Sequence, residues 1–327
     1  MSGEESFALA LCDGRVYTLW KELVDKLRGK APLIILPEGE NAKELPVLRR
    51  LWKKLWQYQV DKGQTILCIG GGSTLDVCGF AAATWKRGIP FVSVPSTLIA
   101  QIDAAFGGKV GINFKKGKNL IGTYTQPKAI WVYPGFLHTL PPPALRAGWV
   151  EAYKHALIEG GTLQEEVHST SFRTIPSLEL LRRLVQVKER LVAEDPYEEQ
   201  GRRQVLNLGH TLGHVWESLS LQTEKPLLHG EAVAIGLVQE LYVSVKRGEL
   251  AESFWMNVVG KWRTEGLLLP LPPFTWRIWE KFLLQDKKIR DGRIFLPLFL
   301  QGGRIVLSAV SIDELRFSIK AYKELIS

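Results

Sequence analysis

Short continuous apolar runs punctuate the first 140 residues, at positions 7–11, 33–36, 65–69, 91–94 and 129–133. Runs of that length without polar alternation are the pattern of strands buried on both faces, as in a parallel sheet. Between them, apolar positions recur at helical spacing over 17–27, 45–60 and 77–85. Pro141-Pro142-Pro143 interrupts this alternation. The remainder of the chain is nearly all helical in period, with helices expected over 146–155, 178–192, 203–214, 232–243 and 312–325. A β-hairpin is expected from residues 292–298 and 302–307. The patterning therefore predicts an α/β domain over residues 1–140 and a mainly helical domain over 141–327.

At 327 residues the chain exceeds what one core usually supports, which agrees with that division. Its net charge of +8 comes from Lys and Arg that are scattered, forming no basic arm and no RNA-binding motif. An anionic small molecule accounts for the charge at least as well as nucleic acid, and no nucleic-acid partner is expected. Cys12, Cys68 and Cys78 are not in metal spacing and read as thiols of a reducing compartment. No signal peptide and no uncharged apolar run of membrane-spanning length is found, so cytoplasmic residence without a membrane partner is the expectation.

The chemistry concentrates in a few stretches. Residues 206–214 read Leu-Asn-Leu-Gly-His-Thr-Leu-Gly-His, and His210 and His214 lie four apart, on one face of a helix. Asn207 and Arg203 extend the same ladder by two turns. His229 opens the next apolar helix, so three of the six histidines fall within twenty residues. Imidazoles on an inward face suit a zinc-like divalent ion, which needs a further ligand. Glu151, amid Trp149, Val150, Ala152 and Tyr153 and one turn from Lys154, is a candidate. Upstream, the strand at 65–69 runs into Gly70-Gly71-Gly72-Ser73-Thr74-Leu75-Asp76 and then a helix, a geometry that offers backbone N–H groups to a phosphate. Lys109, Lys118, Asp103 and Asn119 sit in glycine-rich, loop-like surroundings suited to holding an anion.

Taken together, eight segments resemble the 3-dehydroquinate synthases, within the wider sugar-phosphate cyclases. In order they are Gly-Gly-Gly-x-x-x-Asp from Gly70, Arg-Gly-Ile-Pro-Phe from Arg87, Val-Pro-Ser-Thr-Leu from Val94 and Asp-x-x-x-Gly-Gly-Lys from Asp103. There follow Gly-Lys-Asn-Leu-Ile-Gly from Gly117, Arg-Ala-Gly-x-x-Glu-x-x-Lys from Arg146, Asn-Leu-Gly-His-Thr-x-Gly-His from Asn207 and His-Gly-Glu-Ala-Val from His229. The resemblance implies a Rossmann-like parallel-sheet domain binding NAD and a helical domain binding Zn2+ or Co2+. It implies Glu151, His210 and His229 as metal ligands. NAD contacts would come from Glu40, Lys43, Gly71, Gly72, Ser73, Asp76, Ser96, Thr97, Asp103, Lys118, Thr139 and Leu140. Catalysis would fall to Lys109, Lys154, Arg203, Asn207, His214 and Lys287, and further substrate contacts to Arg87, Asp103, Asn119 and Lys188. The implied substrate is a phosphorylated sugar acid, and Arg87 is expected to reach the partner subunit's substrate in a homodimer.

The implied reaction converts 3-deoxy-D-arabino-heptulosonate 7-phosphate to 3-dehydroquinate and phosphate, by transient oxidation, elimination, re-reduction and aldol closure. The chain departs from the family pattern at Ala144, where many members carry glutamate, and at His155, often tyrosine. His155 is expected behind the ligands or at the surface. Two neighbouring readings share the motifs: a valiolone- or inosose-type cyclase, and a metal-dependent polyol dehydrogenase. Arg203 and Asn207 suit a carboxylate-bearing substrate, and the lysines suit a phosphorylated one.

Overall fold

The computed structural model describes residues 6–115, 117–199, 201–285, 289–290, 293–300 and 303–327. The chain divides into two units, one of residues 1–141 and 175–185, the other of residues 142–174 and 186–327.

The first unit is built on five parallel strands: β1 (Leu9–Asp13), β2 (Leu33–Leu36), β3 (Ile66–Gly70), β4 (Phe91–Pro95) and a two-residue β7 (Ala129–Ile130), in the order β2-β1-β3-β4-β7. Every residue of β1, β3 and β4 is buried, as their uninterrupted apolar sequences require. Alternate side chains enter two separate cores, Leu9, Leu11, Ile66 and Cys68 on one face, Ala10, Cys12, Leu67 and Ile69 on the other. Helices α1 (Gly14–Arg28), α2 (Leu45–Gln57) and α3 (Gly72–Thr84) connect the strands. The strand order reverses direction between β1 and β3, and ligands of open parallel sheets bind at the carboxyl ends beside such a reversal. At that point the Asp13 carboxylate caps α1 and accepts a hydrogen bond from Thr74 at 3.4 Å.

Residues 109–114 and 117–124, expected to be loop-like, instead pair as antiparallel strands, β5 (Lys109–Phe114) and β6 (Gly117–Tyr124). Their central pair is Gly111 opposite Gly122, where added Cβ atoms would lie 2.6 Å and 2.4 Å from the facing carbonyl oxygens of Ile121 and Val110. A largely exposed β6 has no apolar alternation to reveal it in the sequence.

The second unit holds α4 (Pro142–Glu159), α5 (Gly161–Ser169), α7 (His210–Ser220), α8 (His229–Lys246), α9 (Glu252–Glu265), α10 (Trp276–Gln285) and α11 (Ile312–Ile326). Helix α6 (Leu178–Glu194) has its first half counted with the first unit. A small antiparallel sheet, β8 (Ile289–Arg290), β9 (Arg293–Phe299) and β10 (Ile305–Val310), contains the expected hairpin. Helix α8 is buried on nearly all sides from Ala232 to Leu241 and forms the axis of this unit. Trp149, Tyr153, Phe172 and Trp262 pack together beside it, with ring centroids 4.8–6.1 Å apart.

Candidate active site

The expected single helix over 203–214 is broken. Arg203–Asn207 is a turn of 3-10 helix, Gly209 is left-handed at φ 78°, and α7 begins only at His210. The break is stabilised from α8, where the buried carboxylate of Glu240 accepts hydrogen bonds from the backbone N–H groups of Gly209 at 2.6 Å and Leu212 at 3.1 Å. A carboxylate suits this place because the first amides of a helix lack partners within the helix.

The break starts α7 with His210 pointing at α4 and α8. Glu151, on α4, is 1% exposed, and its Oε1 lies 3.4 Å from His210 Nε2 and 3.5 Å from His229 Nε2. Lys154, one turn along α4 and equally buried, forms an ion pair with the other carboxylate oxygen at 2.6 Å. The ligand atoms of Glu151, His210 and His229 all lie within 4.8 Å of one another. The His214 ring faces both histidines, at centroid distances of 5.5 and 5.9 Å.

Electrostatics distinguishes the two imidazoles. Burial holds His210 well below the ordinary imidazole pKa; the Glu151 charge opposes this, and the nearby Lys154 ammonium reinforces it. Burial also disfavours the cation of His229, but hydrogen bonds to Glu151 and Glu217 outweigh it and raise that pKa to about 10. Two imidazoles, that of His210 buried and that of His229 half-buried, converge on one buried carboxylate, a donor set that fits zinc or cobalt, and three protein ligands leave a position open for substrate.

In the first unit a polar cluster surrounds the glycine turn at the end of β3. Gly71 begins α3 without a side-chain cap, and a Cβ there would stand 3.0 Å from Thr97 Cγ2, so the turns after β3 and β4 lie side by side. Glu40 accepts hydrogen bonds from Ser73 at 2.7 Å and from Asn113 at 2.8 Å. Burial pushes the Glu40 carboxyl pKa up, but the Lys43 charge and these hydrogen bonds more than offset it and leave it lowered. Lys43 is buried and bridges Asp76, at 2.5 Å, and Asn119. Ser96 is buried just past β4, and Asp103 lies in the π-helical turn Ala100–Ala104.

Arg203 is buried, but its amide and guanidinium donate to Asp195 and to the Pro196 carbonyl, and Asn207 donates to Glu198 at 3.2 Å. Lys188 is buried on α6. Lys109 and Lys118 are exposed on β5 and β6, and Arg87 is exposed in a turn at φ 65°. Thr139 accepts from the Trp20 indole at 2.8 Å, and Leu140 follows it. Lys287 lies outside the described residues. His155 is fully buried in α4 and does not reach the surface. Glu217, Glu240 and Asn113 were not expected; no local pattern marks them, because each is defined by a partner on another element.

A parallel sheet followed by a helical body carrying a convergent two-imidazole, one-carboxylate cluster is the build of an enzyme. Solved cyclases share the fold. A 2-deoxy-scyllo-inosose synthase, complexed with carbaglucose-6-phosphate, NAD+ and Co2+, superimposes with TM-score 0.85 at 25% identity over 98% of this chain and 92% of that one. The 2-epi-5-epi-valiolone synthase of Streptomyces hygroscopicus subsp. jinggangensis, with NAD+ and Zn2+ bound, gives 0.83 at 28% identity, covering 98% and 91%. The chain itself belongs to the 3-dehydroquinate synthase family: the model of the family's N-terminal region matches residues 33–147 and that of its C-terminal region residues 148–289. The 3-dehydroquinate synthase of Pyrobaculum islandicum is 36% identical over 297 residues, covering 89% of this chain and 85% of that protein.

Proposed function

We propose that the chain catalyses its family's reaction, the conversion of 3-deoxy-D-arabino-heptulosonate 7-phosphate to 3-dehydroquinate and phosphate. It is then a phosphate-eliminating lyase of the shikimate pathway, serving aromatic amino acid biosynthesis. The observation that carries this reading is the meeting of Glu151, His210 and His229 within 4.8 Å. When bound, NAD supplies a reversible hydride acceptor and a divalent ion supplies Lewis-acid polarisation of a substrate oxygen.

The chain's own residues have the following proposed roles. Glu151, His210 and His229 hold the ion, and Lys154 fixes Glu151 Oε2 so that Oε1 is the oxygen turned to the imidazoles. His214, facing both ligand rings, moves protons to and from substrate oxygen. Lys109, Lys154, Lys188, Arg203 and Lys287 answer to a phosphate and a carboxylate, with Asp103, Asn119 and Asn207 binding hydroxyl groups. Each charge-assisted contact is worth about 1.5–3 kcal/mol. In the first unit, the uncapped start of α3 receives the cofactor pyrophosphate, a role its glycines and helix dipole support. Glu40, Lys43, Gly71, Gly72, Ser73, Asp76, Ser96, Thr97, Asp103, Lys118, Thr139 and Leu140 form the cofactor set. Arg87 serves the partner subunit's substrate in a homodimer. No helix among the described residues is long and apolar enough to cross a membrane, and cytoplasmic residence is part of the proposal.

The test is phosphate release from the heptulosonate phosphate, with and without chelator and added NAD+. Phosphate and dehydroquinate should appear in equal amounts with no net gain in absorbance at 340 nm, and His210→Ala should lose at least about 100-fold in rate. Net NADH formation would point to a dehydrogenase. Turnover of sedoheptulose 7-phosphate but not of the heptulosonate would point to a valiolone-type cyclase.

A further inference from the structure

Glu217 belongs to no motif, yet it is 8% exposed and its Oε2 stands 3.4 Å from His229 Nδ1. The opposite nitrogen of that ring, Nε2, is the one 3.5 Å from Glu151. A metal-bound imidazole keeps hydrogen only on its other nitrogen, and an ionised carboxylate only accepts. Glu217 therefore selects the ring form with hydrogen on Nδ1, which leaves the Nε2 lone pair on the side of Glu151 and His210. His210 is set in the same way by a different acceptor: its Nδ1 lies 3.1 Å from the Leu208 carbonyl, and its Nε2 is 3.4 Å from Glu151.

Glu217 has a competing use, because its carboxylate, His214 and His229 also offer ligand atoms within 4.8 Å of one another. The two uses are exclusive for one neutral ring, since an ion on Nδ1 would displace the hydrogen that Glu217 accepts. The Leu208 carbonyl favours the first. It engages His210 Nδ1, so His210 has only Nε2 to give, and Nε2 faces Glu151. Glu151 thus has two imidazole lone pairs turned to one of its oxygens, and Lys154 holds the other.

We propose that Glu217 is a positioning residue, which fixes the tautomer and orientation of His229 so that Nε2 serves the metal centre, and is not itself a ligand. This rests on the metal-binding reading given above. Carboxylates in that place typically contribute 10–100-fold to metal affinity.

The test compares zinc affinity, by competition with a chromophoric chelator, in wild type, Glu217→Gln, Glu217→Leu and His210→Ala. Long-range proton–nitrogen correlation spectra of zinc-loaded, histidine-labelled protein report which nitrogen of His229 keeps its hydrogen. Glu217→Gln keeps an oxygen acceptor and should stay within about 10-fold of wild type with Nδ1–H retained. Glu217→Leu should lose about 10–100-fold and mix the His229 tautomers. The proposal fails if Glu217→Gln loses zinc as completely as His210→Ala, or if zinc is found on Nδ1, since Glu217 would then be a ligand. It fails equally if Glu217→Leu keeps wild-type affinity and an unchanged His229 spectrum. Should Glu217→Leu not fold, the Glu217→Gln arm still decides between ligand and positioning residue. Wild type without zinc affinity would sink the metal reading instead, while the Nδ1–H resonance of the metal-free protein would still report whether Glu217 holds it.

Discussion

Replacing Gly230 by alanine puts a methyl group where helix α8 touches helix α4. The new Cβ would stand 2.1 Å from the Ala147 carbonyl oxygen and 2.6 Å from that residue's C and Cα. Ordinary contact begins at 3.4 Å, so the helices must separate or slide by about 1.3 Å in a core packed as densely as a crystal. The obstacle is backbone, which cannot rotate away as a side chain would. Overpacking of this kind costs about 1–3 kcal/mol, and the upper end is expected here. Gly230 follows His229 directly, and Ala147 lies one turn before Glu151 on the same face of α4. The displacement therefore falls on the distance between two proposed ligands, and metal sites tolerate about 0.2 Å. Urea unfolding should show the stability loss, and chelator competition a zinc affinity lower by 10-fold or more, at roughly the scale of losing a supporting residue. Gly260→Ala is the control: it is exposed on α9 with nothing within 4 Å, and should stabilise by about 0.5–1 kcal/mol. A Gly230→Ala protein within about 0.5 kcal/mol of wild type and with undiminished zinc affinity would refute the argument that this close approach sets the site.

Two further perturbations test the second unit. Lys261 is buried, donates to Glu265 at 2.9 Å and to the Thr170 carbonyl, and lies over the Phe172 ring at 4.6 Å. Glu265→Ala should cost about 3 kcal/mol by urea unfolding, because it strands a buried cation, and Lys261→Met with Glu265→Leu should recover most of it. Glu314 is held at a pKa of about 2, below its ordinary 4.5, by a hydrogen bond from Arg247, with burial opposing and Ser311 assisting. A depressed carboxylate stabilises the fold above its unfolded pKa and loses that contribution as pH falls toward the folded value. The stability gap between wild type and Glu314→Gln should thus shrink from about pH 5 to about pH 3; a gap independent of pH would contradict the assignment.

Most of the sheet was legible because β1, β3 and β4 are buried on both faces and leave uninterrupted apolar runs. The pairing of residues 109–114 with 117–124 was not, because glycine pairs and an exposed strand carry no alternation. The site was half legible. His210, His229 and Glu151 announced themselves as polar residues in apolar helices. The break at Gly209 did not, since a left-handed glycine inside a helical period shows only once Glu240, some thirty residues away, is seen to cap it. Arg203 and Asn207 were assigned to a ladder that this break removes, and both are instead bonded to the turn of residues 195–198.

Two kinds of residue determine the geometry at His210 and His229, and they act on different variables. Glycines set distance. Besides Gly230 against α4, Gly236 meets the Gly209 carbonyl, where a Cβ would come within 2.1 Å, and Gly213 meets the Ala232 carbonyl at 3.1 Å. Helices brought this close bury the polar groups between them, and a buried donor or acceptor left without a partner costs about 1–3 kcal/mol. The acids and carbonyls set direction. Glu240 takes the amides that start α7, the Leu208 carbonyl and Glu217 take one nitrogen of each ring, and Lys154 takes the oxygen of Glu151 turned from the histidines. Neither suffices alone: closeness without these acceptors would leave ring orientation free, and acceptors on helices further apart would aim the same lone pairs at no common point. The polar residues that hold the candidate ligands in place are therefore best sought where small residues let helices α4, α7 and α8 touch.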